Sequence, residues 1–241
     1  MPKAIPITDD QKAFLANGIY RAVSLDMPDV ISDNELPTAI GSGLFRWNFI
    51  NRNLSEGLAW DFETAIVPRS SFRVILLREK ECNFSFSVMS EANFRKIQQK
   101  KNDGIHYLEA LISKNQSRAP MNDQISWFSD FRVREKEFLF SLRDKLLSNF
   151  TGIVEEHILI LFDYNYSGVT SARAVLLTPE MEIAYSEDWT RFLRTTVVPK
   201  GLLLEDILDD NEVLAALKPE FVAENTPVVK PATKPRKDET A

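Results

Sequence analysis

Residues 71–77 read SFRVILL and residues 171–177 read SARAVLL, with Ser, Arg and two Leu at matching positions. Both runs are short, apolar and bounded by charged or turn-forming residues, the pattern of an extended strand. Each lies in the middle of three such segments. The first set is FETAIV (62–67), FRVILL (72–77) and NFSFSV (83–88), the last two flanking REKE at 78–81. In NFSFSV the residues Phe84, Phe86 and Val88 fall on one face and Asn83, Ser85 and Ser87 on the other, the two-residue period of a half-buried strand. The second set is EEHILILF (155–162), TSARAVLL (170–177) and EIAYS (182–186), joined by the turns NYSG and TPEM. Pro179 suits the second position of a type I turn, and Gly168 a residue with positive φ. Two antiparallel meanders are expected, and they could share one sheet.

Helical spacing surrounds both sets. Thr8 and Gln11 form a capping box in which hydroxyl and amide each serve an orphan N–H. Leu15, Ile19 and Ala22 follow on one face. This helix is expected to end near Asp26, with residues 28–38 as a loop between Pro28 and Pro37. A second stripe runs Ile40, Leu44, Trp47, Asn51, Leu54 and Leu58, widened by Phe45 and Phe49. Further helices are expected over 90–101, 104–114 and 134–149, with a loop at 115–131. REKE recurs at 134–137, there inside a helix, because Leu139, Leu142, Leu146 and Phe150 have helical spacing. Ser186 reads as the N-cap of EDWTRFL, and an acidic helix covers 202–217. Residues 219–241 hold four prolines and few large apolar groups, too little to offset ordering entropy, so they read as a disordered tail. The fold class is α+β: two antiparallel three-stranded meanders packed against amphipathic helices, in a single domain over residues 1–218. The order α-β-β-β-α occurs twice, around 39–101 and 134–195. The paired heptads are either a trace of duplication or two strands that look alike.

Composition narrows the function classes. The chain has 241 residues, a net charge of −6 and one cysteine, Cys82. That balance does not support a nucleic-acid partner bound through a basic stripe. A lone cysteine fits a reducing cytoplasm. The start, MPKAIPITDDQK, lacks the apolar run of a signal peptide, and no window reaches the ~18 apolar residues of a membrane span. Neither a P-loop nor a G-x-G-x-x-G pattern occurs.

Candidate site residues are few. If the two meanders share a sheet, Arg73 and Arg173 could approach one another and hold a phosphate or carboxylate between them. The plainer reading pairs each with a carboxylate such as Glu63 or Glu182. A nuclease-like alternative assigns Asp61, Glu63 and Asp163 to a Mg²⁺ ion. It lacks the E-x-K spacing that such a centre needs, since Glu79 and Lys80 are adjacent and leave opposite faces of a strand. His106, His157 and Cys82 read as structural. FDYNYSG (162–168) places two tyrosines at a strand end, able to stack a base, pack a partner or cap the core. LFRWNFINRNL (44–54) sets Arg46, Arg52 and three Asn among aromatics. Asn51, on the core stripe, ties the helix to a strand edge or faces a ligand.

GLFRWNFINRNL, the first meander, and HILILFDYN with SARAVLL resemble an uncharacterised family of bacterial and phage-borne proteins of unknown function. The resemblance covers roughly residues 8–195 and implies a cytoplasmic, mobile-element setting and no assigned site residue. The expected function is a non-enzymatic cytoplasmic binding or regulatory protein that acts through protein contacts, with no predicted cofactor. The alternative is a Mg²⁺-dependent enzyme acting on nucleotides or nucleic acid. Nothing in the sequence sets the oligomeric state.

Overall fold

The computed structural model describes residues 4–33, 42–69, 72–99, 106–115 and 129–195, all within one compact unit, Met1–Lys200. The acidic helix expected at 202–217 and the tail at 219–241 lie outside the described residues.

The strands are β1 (Phe62–Arg69), β2 (Phe72–Glu79), β3 (Phe84–Ser90), β4 (Glu156–Asn165), β5 (Gly168–Leu177) and β6 (Ile183–Asp188). They form one six-stranded sheet in sequence order, so both expected meanders are present and share it. One feature departs from an all-antiparallel arrangement: β3 and β4 run parallel, from Phe84 against Glu156 to Ser90 against Phe162. Parallel neighbours require a crossover. It is supplied by α4 (Glu91–Gln99), α5 (Tyr107–Ile112) and α6 (Ser129–Leu147).

Helices therefore cover both faces. α1 (Asp9–Arg21) and α3 (Ser42–Ser55) pack with Phe62, Ile75, Leu77, Phe86, Ile158 and Phe162 on one side. α4 and α5 pack with Val74, Leu76, Met89, Leu159 and Val175 on the other. The second cover corrects the expected polar face of β3. Ser85 and Ser87 are fully buried. Their hydroxyls clamp the ring of His157, Ser85 at Nδ1 and Ser87 at Nε2, both 2.8 Å. Asn115 holds the same strand, donating to the His157 carbonyl at 2.8 Å and accepting its N–H at 2.7 Å.

The Thr8 capping box is formed in full. The helix does not stop near Asp26. A π-turn, Ala22–Asp26, leads into α2 (Met27–Asp33). The wider turn accommodates Pro28, which brings no N–H to the first turn of α2. Ser24 of that turn accepts the N–H of Val169 at 2.9 Å. Gly168 beside it has φ 113°, as its turn position requires, and a Cβ there would meet Ser24.

Other boundaries shift for identifiable reasons. Pro68 lies inside β1 instead of ending it, because β1 is an edge strand and needs no donor on its outer side. Ser186 lies within β6, whose chain ends in a short 3₁₀ turn at Thr190–Phe192, so it caps no helix. On α3 the buried positions include Ile50 and Leu54, while Leu44 and Phe45 are exposed. The turn at Thr178–Met181 closes through the Met181 N–H with Pro179 in second place. REKE lies at a strand end and turn at 78–81 and in a helix at 134–137.

The two heptads face opposite layers. In β2, Ile75 and Leu77, and with them Arg73, belong to the α1–α3 side. In β5, Val175 and Leu177, and with them Arg173, belong to the α4–α5 side. A duplication in that register would turn both the same way.

Candidate functional site: a cleft where the sheet divides

β2 and β3 are paired at only two positions, Leu77 with Phe86 and Arg78 with Ser85. Beyond them β2 stays with β1 as far as Phe72, and β3 stays with β4 as far as Ser90. The sheet thus opens into two half-sheets toward the carboxyl end of β3. The Arg73 carbonyl points away from β1 and is left short of a backbone donor, since β3 has drawn away. Asn51 takes that place, its Nδ2 donating to the carbonyl at 3.1 Å. Of its two roles, tying the helix to a strand edge is the one observed.

A cavity of about 510 Å³ follows the division, within the range that accommodates small-molecule ligands. Val74 lines it from β2, Val88 and Met89 from β3. Trp47, Phe162 and Tyr164 form an aromatic wall. Trp47 meets Phe162 edge-on at 6.3 Å, and Phe162 lies 5.8 Å from Tyr164. The Arg46 guanidinium ends the series, its Cζ 4.0 Å from the Tyr164 ring centroid. Stacking of this kind is worth about 0.5–2 kcal/mol and fixes the plane of the cation. Arg46 Nε is buried and meets no acceptor among the described residues. An unsatisfied buried donor costs about 1–3 kcal/mol. Lys96 of α4 adds a second cation, and among the described residues the lining contains neither Asp nor Glu. The cavity is locally basic in a chain of net charge −6.

A second cavity, about 450 Å³, has the reverse character, with Asp10, Asp61, Glu79, Glu81 and Cys82 in its wall. Glu79 is already engaged: its Oε2 accepts the N–H groups of Glu81 at 2.8 Å and Cys82 at 2.5 Å. Burial, and next the bond to Glu79, push the Cys82 thiol up to about 12. A thiol held protonated is a weak nucleophile. Iodoacetamide at pH 8 is expected to label Cys82 about a hundredfold more slowly in the native protein than in urea, read by intact mass. Equal rates would contradict the burial described.

The residues singled out from sequence are mostly kept apart. Arg73 is exposed, and Arg173 is paired with Glu91 at 2.5 Å. They lie on opposite faces of the sheet, so the proposed anion clamp between them is not formed. Glu63 accepts from Thr151 and pairs with Arg78 at 3.4 Å. The Thr151 hydroxyl, more than the Arg78 charge, holds its carboxyl below the usual range. Asp61 lines the second cavity at the start of β1. Asp163 is exposed near the end of β4. Carried across the ladder, it lies about seven residues, roughly 20 Å, farther along the strands. Among the described residues no three His, Cys, Asp or Glu side chains converge as metal ligands, and no helix is long and apolar enough to cross a membrane.

A family model matches residues 4–241. The chain belongs to DUF5986, a family of unknown function. No curated protein and no solved structure matches it. In this DUF5986 chain the two segments most distinctive in sequence, LFRWNFINRNL and FDYNYSG, meet at the cleft through Arg46, Trp47, Phe162 and Tyr164. Lys96 had no signal of its own. Its place in the wall follows from the crossover, which returns α4 beside the divided strands.

Proposed function

We propose that the protein is a non-enzymatic binding protein that takes a small ligand into the cleft between β2 and β3. The observation that supports this is the division of the sheet, which exposes an aromatic wall and two cations in a cavity of ligand size. A strand pair that could continue its ladder instead diverges, and Asn51 satisfies the carbonyl this leaves open. A cytoplasmic setting in a bacterium, phage or mobile element belongs to the same proposal, supported by the single cysteine. Action through a protein partner is a second reading. It is favoured by Tyr166, fully exposed on the β4–β5 turn, and by the exposed Ile183 on the β6 edge.

The test is a fragment screen by ligand-observed NMR on the wild type and on Ala92→Trp. Ala92 is an exposed residue in the cavity wall, so the larger ring is expected to fill the mouth without disturbing the core. Fragments that bind the wild type are expected to lose at least about tenfold in affinity for the variant. Equal binding to both proteins would remove the cleft as the site. Mg²⁺-dependent nucleotide hydrolysis abolished by Asp61→Ala would overturn the non-enzymatic reading.

A further inference from the structure

We infer that the cleft's ligand is a small planar aromatic molecule carrying one anionic group, a carboxylate or phosphate. The inference rests on the cleft being a binding site and adds its chemical class. Three observations converge on it. The wall is largely apolar and aromatic, with Val74, Val88 and Met89 from two separated strands beside the rings of Trp47, Phe162 and Tyr164. Such a surface favours a ring, which packs against aromatic side chains at little conformational cost. Among the described residues, both charged groups in the wall are cations, and no carboxylate pairs with Arg46 or Lys96. Finally, Arg46 is held by one face on Tyr164 while its Nε–H has no acceptor. A guanidinium fixed in plane at the cavity wall matches a planar or tetrahedral oxyanion.

The site is too small and too weakly charged for a nucleic-acid strand. Two cations would neutralise about two phosphates, far fewer than polymer binding needs. The acidic second cavity is the wrong sign for the same ligand. Ser90 and Asn93, also in the wall, offer polar contacts at the start of α4, where an anionic substituent would lie close to Lys96.

The experiment uses the full chain at pH 7.5 and four probes: indole-3-carboxylate, its neutral partner indole-3-carboxamide, phenyl phosphate and inorganic phosphate. Binding is read by saturation-transfer NMR and calorimetry on the wild type, Arg46→Gln, Lys96→Gln and Ala92→Trp. One of the two aromatic anions is expected to bind the wild type at least about tenfold more tightly than the amide, the difference expected for a charge-assisted hydrogen bond. Which anion wins distinguishes carboxylate from phosphate. Arg46→Gln is expected to erase that preference while amide binding stays within about twofold, and Lys96→Gln to reduce it. Amide and anions binding equally, with both lost in Ala92→Trp, would overturn the anionic class and leave the cleft reading intact. Inorganic phosphate binding as well as phenyl phosphate would overturn the aromatic requirement. No binding of any probe at millimolar concentration would overturn the inference, and the fragment screen would then decide the cleft separately.

Discussion

The free energy of unfolding is expected to fall by about 2 kcal/mol between pH 7 and pH 5, and His157 is expected to carry most of that loss. The ring is completely buried between Ser85 and Ser87. Desolvation first, then the nearby Arg143 charge, lower its pKa from 6.5 to about 3. The folded state thus holds a neutral imidazole throughout this range, while the unfolded chain takes up a proton below its pKa of 6.5. Proton uptake by the unfolded state alone favours unfolding. Stability is fully present above pH 6.5, declines as the pH falls from there, and levels off near pH 3. Carboxylates do not confuse the window. Glu187 is desolvated, yet Lys12 at 2.6 Å and the Ile5 amide bring its pKa below 4.5. Glu63 is lowered chiefly by Thr151. Both lose their contribution only as the pH drops below that value toward their folded pKa. Urea unfolding at the two pH values measures the loss, and the His157 Cε1–H resonance checks its origin. A titration of that resonance above pH 5 in the native protein would refute the burial account.

Gly152→Ala is expected to destabilise the fold by about 3 kcal/mol or more. A Cβ at Gly152 would overlap the Arg78 guanidinium. Arg78 is only 6% exposed. It donates to the Ile153 carbonyl at 3.0 Å and to Asn83 Oδ1 at 2.9 Å, and lies 3.4 Å from Glu63. Displacing it breaks a partly buried ion pair and leaves the Ile153 carbonyl and Asn83 Oδ1 unserved. The mechanism predicts its own control. In an Arg78→Met background the same glycine change is expected to cost less than about 1 kcal/mol, because the obstruction is gone. Chemical unfolding of the four proteins gives the coupling. Additive costs would mean that the two residues act separately.

How far the sequence discloses this arrangement depends on the range of each interaction. The Thr8 capping box, the Pro179 turn and the extended heptads are local, and they form as their residues specify. The parallel junction of β3 and β4 joins residues some seventy positions apart, and no local pattern encodes which strand edges meet. That junction also explains the misread faces. Ser85 and Ser87 alternate like solvent-facing residues, yet the crossover helices cover them and His157 supplies their hydrogen bonds. Arg73 and Arg173 look equivalent in sequence, but facing is set by register within the shared sheet. The cleft was legible only in parts. Arg46 and Tyr164 stood in distinctive segments, whereas Asn51 and a ladder that stops after two pairs mark the division only once the strands are aligned.

β3 is buried along Phe84–Met89, and β4 begins with seven buried residues. Each is the inner neighbour of the other. On a ribosome making 5–20 residues per second, the roughly 75 residues from Ser90 to Asn165 take about 4–15 s. Throughout that interval the nascent chain carries β3 as a bare rim with Phe84, Phe86 and Val88 along one face, open to annealing with another copy. Truncation before residue 156 would make the interval permanent, so a fragment holding only the first meander is expected to precipitate rather than fold.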